Sequence, residues 1–535
     1  MITAAVCCAV LAASPLEELP LRQKIGQLFV VPAAQLLGDA HVQDLYRLIE
    51  EVGIGGVLLK QGTIEGQRAL ISKLQSRSVI PLLCVQDAEW GVSMRLTDAE
   101  ELPRNLTLGA IQDLSLLYAF GKAVGAQCAR VGTHLNLAPV VDVNSNPINP
   151  IIHMRSFGED PAEVAQRATL VIEGMQSQGV LACAKHFPGH GDTSADSHVE
   201  LPCVRRSLEQ IKATELVPFS SAVCLGVDAV MTAHIDVRAL SLEPGVPATF
   251  SRRIVHDLLQ SEMGFQGLVI SDALNMKALS LHHSDAEIAV RAVRAGHDLL
   301  LYGDHIAPYI EHIVRVSIPA AVQAIEQAVH EGLISEEDIT ARVEKIWRVK
   351  ERLRKEVYEP GEVNSEEIRA LKSRLFEEAM TLVKNEAFFP LKRGEKVAVV
   401  EWGDSPALIE LLSQSIVMER FSIEDPDLEQ RLVGWDRVLV ICSVFKQFSK
   451  TEEQRALLSR LRALTPSKGI VLLGSPYGLS ELPPFEGVLV AYENDPEAQR
   501  AAARVVLGDK APKGRLPVSV EPEFLRGSGL CTALR

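Results

Sequence analysis

Eight short apolar runs, each followed by a longer stretch with helical spacing, constrain this chain more than any other feature. They occupy 26–33 (GQLFVVPA), 53–59, 80–87, 134–143 (HLNLAPVVDV), 179–186, 227–234, 267–272 and 297–302. Each is rich in Val, Leu and Ile and shows little alternation. Strands of a parallel sheet read this way, because helices cover both of its faces. Helical stretches such as 162–178 and 207–224 lie between the runs. Eight β-then-α units in series are the arithmetic of a (β/α)8 barrel. Asp87, Asp142, Lys185, His186, His234 and Asp272 stand at or near the C-terminal ends of these runs, where this fold gathers its catalytic groups.

The 535 residues exceed what one core organises, since cores stop growing at roughly 250–300 residues. A charged helical stretch over 340–394, broken at Glu359-Pro360-Gly361, leads into a second series of runs at 396–402, 437–443, 469–475 and 487–492. Helical segments near 406–416, 452–464 and 495–507 separate them, the pattern of a small open α/β sandwich. No Gly-rich phosphate loop opens a helix there, so it does not read as a nucleotide domain. The expected division is an apolar leader over 1–18, a barrel over 19–350, a helical linker over 351–394 and an αβα sandwich over 395–535.

The formal charge of −15 argues against a nucleic-acid partner and suits a neutral or weakly charged substrate. Several of the nine cysteines, Cys84, Cys183 and Cys442 among them, sit inside apolar runs and read as reduced core thiols. Residues 3–13 are apolar, but no Lys or Arg precedes them and they are too short to span a bilayer as a helix. A buried or amphipathic leader, no stable membrane span and a cytoplasmic placement are expected. Export behind a signal peptide is the alternative.

The segment most informative about chemistry is KHFPGHGDTSADSHVELP, 185–202, which leaves a strand end for a loop rich in His, Asp, Ser and Gly. Gly189 and Gly191 allow it unusual backbone angles. His186, His190, Asp192, Asp196 and His198 offer metal-ligand chemistry, but no helical HExxH-type pattern accompanies them. The competing reading is a catalytic loop in which the Asp196 carboxylate orients the His198 imidazole for proton transfer. In GLVISDALNM, 267–276, Asp272 at a strand end is placed either to attack an anomeric carbon or to cap the following helix. Asp87 and Arg95 lie in PLLCVQDAEWGVSMRL, where a carboxylate can accept hydrogen bonds from sugar hydroxyls. Trp90 in the same segment is a stacking platform or simple packing. Arg155 in RSFGEDP clamps a substrate oxygen or pairs with Glu159 or Asp160.

Together RNLTLGA (104–110), LNLAPVVDVNSNPINP (135–150), RSFGEDP, KHFPGHGDTSADSH, VMTAHI (230–235) and LVISDALNM resemble the family 3 glycoside hydrolases, in their bacterial β-N-acetylglucosaminidase branch. The second domain, with its closing GRLPVSV (514–520), is similar to the sandwich behind the barrel in two-domain members. The resemblance implies a retaining β-N-acetylhexosaminidase that needs no cofactor. Its nucleophile would be Asp272, its proton donor and acceptor His198, and the orienting partner Asp196. Asp87, Arg95, Arg155, Lys185 and His186 would bind the N-acetylglucosamine unit, with His234 close by. It also implies peptidoglycan or muropeptide fragments as substrate. A phosphorylase using the same site and a barrel that binds sugar without turning it over are the alternatives. Two positions depart from the family pattern. Ala88 and Trp90 replace a Gln and a Gly in the Asp87 segment, and Ala273 replaces a second Asp after Asp272.

Overall fold

The computed structural model describes residues 19–531 apart from 198, 242, 304–308, 355–360, 444–455, 457–458, 462 and 464–466. All eight expected runs form parallel strands: β1 (Phe29–Ala33), β2 (Gly56–Leu59), β3 (Leu83–Gln86), β4 (Leu135–Asn136), β5 (Leu181–Phe187), β6 (Ala229–Thr232), β7 (Leu268–Ser271) and β8 (Leu300–Leu301). They pair in chain order, β8 pairs with β1, and a bridge between Ile270 and Leu299 links β7 to β8. The sheet is thereby closed into a barrel. Its interior is one cluster that takes side chains from every strand or its edge, including Val30, Leu58, Val85, Leu135, Cys183, Met231, Ile270 and Leu301. Burying such a side chain stabilises the fold by about 1.5–3 kcal/mol, which explains the runs' unbroken apolar character.

Helices follow the strands and cover the outside. Pro161–Gln176 begins where the Asp160 carboxylate accepts from the N–H groups of Ala162 and Glu163. The expected single helix over 207–224 is instead two, Leu208–Ala213 and Leu216–Leu225. The first starts in a capping box at Ser207, and the chain leaves helical geometry at Thr214. Helix Glu336–Arg354 supplies Ile346, Val349 and Leu353 to the barrel interior. On the same helix Lys350 lines a cavity of about 160 Å³ with Gln75, Leu82, Leu83 and His134. This helix plugs the N-terminal end of the barrel.

The second domain is a six-stranded sheet: β9 (Thr381–Asn385), β10 (Lys396–Trp402), β11 (Val417–Ser422), β12 (Arg437–Cys442), β13 (Ser467–Leu472) and β14 (Gly487–Val490), in the order β9-β14-β13-β12-β10-β11. All neighbours are parallel except β9 and β14. Helices Glu366–Ala379, Pro406–Ser413 and Pro496–Val506 pack on one face through Phe376, Leu408 and Ala502. Leu428, Leu461 and Tyr477 pack on the other. Two strands were absent from the sequence reading. β9 lies inside the stretch read as linker, and β11 is an edge strand whose mostly exposed side chains leave no apolar run. The helix expected near 452–464 falls mostly outside the described residues. Among the described residues no helix is long and apolar enough to cross a membrane.

Candidate active site

The barrel's C-terminal end brings most of the sequence-flagged residues together. Asp87 follows β3, Lys185 and His186 lie on β5, His234 follows β6, and Asp272 follows β7. Asp87, Arg95, Arg155, Lys185, His186 and Asp272 all line one cavity of about 210 Å³, joined by Glu89, His190 and Ser197. Its wall is an ion-pair network. Lys185 Nζ stands 3.2 Å from Asp87 Oδ1 and 2.9 Å from Glu89 Oε1. Arg95 Nη2 donates to Asp87 Oδ2 at 2.7 Å. Arg155 grips Glu89 with two hydrogen bonds, Nη2 to Oε1 at 2.7 Å and Nε to Oε2 at 3.0 Å. A buried charge is tolerated only when it is paired and hydrogen-bonded, and each of these is. Burial pushes the Asp87 carboxyl up, but Lys185, Arg95 and Lys60 outweigh it and hold the group well below the usual range. Glu89 is likewise lowered, its burial overcome by Arg155 and Lys185.

Glu89 is the residue sequence reading missed. It stands two positions after Asp87, but its partners lie far along the chain, so no local pattern marks it. Arg155 had been expected to clamp substrate or to pair with Glu159 or Asp160. The structure gives it Glu89 as partner, because Asp160 caps a helix and Glu159 accepts from Ser519 of the second domain. Trp90 does not line the cavity. The Arg104 guanidinium lies over its ring, 4.6 Å from the centroid.

A second web fixes the loop that follows β5. Asp142 Oδ2 stands 2.7 Å from His186 Nδ1, while its Oδ1 accepts from the His190 N–H at 2.7 Å. His190 Nδ1 meets Thr193 Oγ1 at 2.8 Å, and its Nε2 meets Ser197 Oγ at 3.2 Å. Burial pulls the His190 pKa down to about 4, with His186 adding to the effect. Gly191 is required here by a close approach, since a Cβ would fall 1.7 Å from the Val143 carbonyl oxygen. Asp192 pairs with Arg206 at 3.0 Å, which also reaches Glu215. Asp196 is half-buried, and its carbonyl accepts from Val199 and Glu200. His198 lies outside the described residues.

Asp272 does not cap the helix that follows it, which begins at Lys277. Its Oδ1 accepts from the Ala273 N–H at 2.7 Å, leaving the carboxylate to face the cavity. Burial raises its pKa, but His234, His186, the Ala273 N–H and Lys185 outweigh this and hold it at about 2. His234 is fully buried. Its Nε2 stands 3.0 Å from the Ala273 carbonyl, which can only accept, so that nitrogen carries a proton. Its Nδ1 meets Thr249 Oγ1 at 2.6 Å. His234 therefore supports the Asp272 turn from behind the cavity wall. Among the described residues no group of three or more His, Cys, Asp or Glu is placed to hold a metal ion.

The arrangement offers an ionised carboxylate facing a polar cavity that is closed by charged hydrogen-bonding groups. Residues 20–349 match the glycosyl hydrolase family 3 N-terminal domain. The chain is 28% identical to beta-hexosaminidase A of Pseudoalteromonas piscicida, over 89% of this chain and 91% of that protein. It is 34% identical to a beta-hexosaminidase of Nitrosomonas eutropha, over 46% of this chain and 73% of that one. Among solved structures, a glycoside hydrolase family 3 β-N-acetylglucosaminidase from Paenibacillus sp. superposes with a TM-score of 0.81 at 31% identity, covering 95% of this chain and 99% of that one. Barrel and sandwich thus superpose on a solved family 3 structure along nearly the whole chain, which belongs to glycosyl hydrolase family 3 and is a glycoside hydrolase.

Proposed function

We propose that the protein is a retaining exo-β-N-acetylglucosaminidase that removes β-linked N-acetylglucosamine from the non-reducing ends of its substrates. The observation that carries this is Asp272, ionised down to about pH 2 and facing a cavity walled by paired charges. The cavity of about 210 Å³ is smaller than the roughly 300–1,000 Å³ typical of drug-sized ligand sites, which suits one sugar ring. The names of the relatives support N-acetylglucosamine as that ring. In this reading Asp272 attacks the anomeric carbon and the glycosidic C–O bond breaks. His198, oriented by Asp196, gives its proton to the leaving oxygen. His198 then takes a proton from water, whose oxygen displaces Asp272 and releases the sugar. Asp87, Arg95 and Lys185 hold ring hydroxyls, and Arg155 and His186 hold the acetamido side. This chemistry calls on no cofactor.

The natural substrate we propose is a peptidoglycan or muropeptide fragment, in the cytoplasm. Cys84, Cys128 and Cys183, buried in the barrel domain, stand as free thiols, which supports a reducing compartment. The test is chromophore release from an aryl β-N-acetylglucosaminide. Asp272→Ala is expected to lose about 10⁴-fold or more in kcat. His198→Ala is expected to suffer most on poor leaving groups, and the first-formed sugar is the β anomer by NMR. Turnover only with added phosphate would make the protein a phosphorylase. No turnover with or without phosphate would defeat the reading.

A further inference from the structure

Glu89 and Arg155, the pair that walls one side of the cavity, both rest on a single short segment. Trp90, next to Glu89, carries the Arg104 guanidinium on its ring. The Trp90 carbonyl also accepts from the Leu102 N–H at 3.1 Å. Asn105 Nδ2 donates to the Arg155 carbonyl at 2.7 Å. Arg104 and Thr107, which stand on either side of Asn105 along the chain, are in turn gripped from the second domain. Glu493, three residues beyond β14, accepts from the Arg104 N–H at 2.8 Å and from Thr107 Oγ1 at 2.5 Å through Oε1. Its Oε2 accepts from Arg104 Nη1 at 2.5 Å. The carboxylate is 6% exposed.

We propose that Glu493 is a positioning residue for sugar binding. Holding Arg104 and Thr107, it fixes the turn of chain that carries Asn105, and so sets Glu89 through the Trp90 stack and Arg155 through the Asn105 hydrogen bond. The second domain thus reaches the sugar cavity without lining it. This also gives Trp90 a purpose that a glycine at the same position lacks, since only an aromatic ring offers Arg104 a face to lie on. The proposal rests on the reading of this cavity as the sugar site. Other contacts between the domains, such as Arg526 with Glu163 at 2.9 Å, touch nothing in the cavity and serve as controls.

The experiment compares kcat and KM on an aryl β-N-acetylglucosaminide for Glu493→Ala, Glu493→Gln, Trp90→Gly, the double variant Glu493→Ala/Trp90→Gly and Arg526→Ala. Displacing a binding group by a fraction of an ångström is expected to raise KM about tenfold in Glu493→Ala, with kcat changed less than about threefold. Glu493→Gln, whose amide oxygen still accepts from Arg104 N–H and Thr107, restores most of the loss. Trp90→Gly reproduces part of it, and the double variant is no worse than Glu493→Ala alone, because both act along one path. Arg526→Ala leaves both constants unchanged. A wild-type KM in Glu493→Ala, or fully multiplicative losses in the double variant, would overturn the proposal. A crystal structure of Glu493→Ala decides it without any turnover. Glu89–Arg155 distances unchanged from 2.7 and 3.0 Å would reduce Glu493 to a tie between domains, and a shifted pair upholds it. Wild-type inactivity on the glycoside would instead defeat the N-acetylglucosaminidase reading, and the crystal structure would still decide this one. Should Glu493→Ala fail to fold, Glu493→Gln and Trp90→Gly carry the same comparison.

Discussion

Two lysines are buried to the same depth at opposite ends of one barrel, each 3% exposed, and they are treated in opposite ways. Lys185, at the C-terminal end, stands between Asp87 and Glu89. Burial alone would lower its pKa, but the two carboxylates outweigh burial and hold it above the ordinary lysine value. Lys350, at the N-terminal end, donates to Gln27 Oε1 at 2.8 Å. Burial pulls its amine down to about 7, with Cys84 opposing. Depth does not decide the charge of a buried amine; its partners do. The end of the barrel that meets substrate carries those partners, and the plugged end does not.

The comparison predicts opposite pH slopes of stability. A raised folded pKa means that the Lys185 contribution is fully present below the ordinary value of 10.5 and is lost as pH rises through the raised value. Lys350 is the reverse. Between about 7 and 10.5 the unfolded chain binds its proton and the folded chain does not, so stability rises with pH across that window.

The largest expected effect is that of Lys185→Met, which strands Asp87 and Glu89 without their shared cation. It should cost about 3–5 kcal/mol in urea unfolding and abolish glycoside turnover. A variant that kept its stability would show that the two carboxylates do not depend on this lysine. Lys350→Met should instead stabilise the protein near pH 6 by about 1–3 kcal/mol, an advantage that fades by pH 10. If unfolding at pH 6 were unchanged, burial would not be depressing the Lys350 pKa, and the plugged end would carry its cation without cost. The smallest effect belongs to an exposed pair. Arg374 and Asp113 meet at 3.0 Å, but both are solvated, so Arg374→Ala should stay within about 0.5 kcal/mol of wild type. A larger loss would mean that exposure does not separate costly from cheap charges here.

The barrel was legible because strands covered on both sides have no polar face to disguise them. Even β4 and β8, two residues each, announced themselves through flanking apolar residues. Residues placed by strand position were legible too. Asp87, Lys185, His186 and Asp272 reach the cavity because they end or follow strands, and strand ends can be read from the sequence. What could not be read was pairing across distance. Glu89 meets Arg155 across 66 positions, and Glu493 meets Arg104 across 389. Nothing local distinguishes such carboxylates from solvated ones. β11 was missed for a related reason. Its identity comes from six residues pairing with β10, and its side chains carry no apolar signal.

That same strand has a practical consequence for handling the protein. A sheet that ends in an apolar strand offers a template onto which another molecule can add, and concentrated solutions then seed fibrils. β11 ends the second sheet with Val417 but also with exposed Glu419 and Arg420. A strand adding there would have to strip water from both charges and disturb their ion pairs with Arg431 and Glu401 before its backbone could pair. The edge therefore works as a gatekeeper against aggregation, and neutralising Glu419 and Arg420 together would be the shortest route to a preparation that clouds on storage.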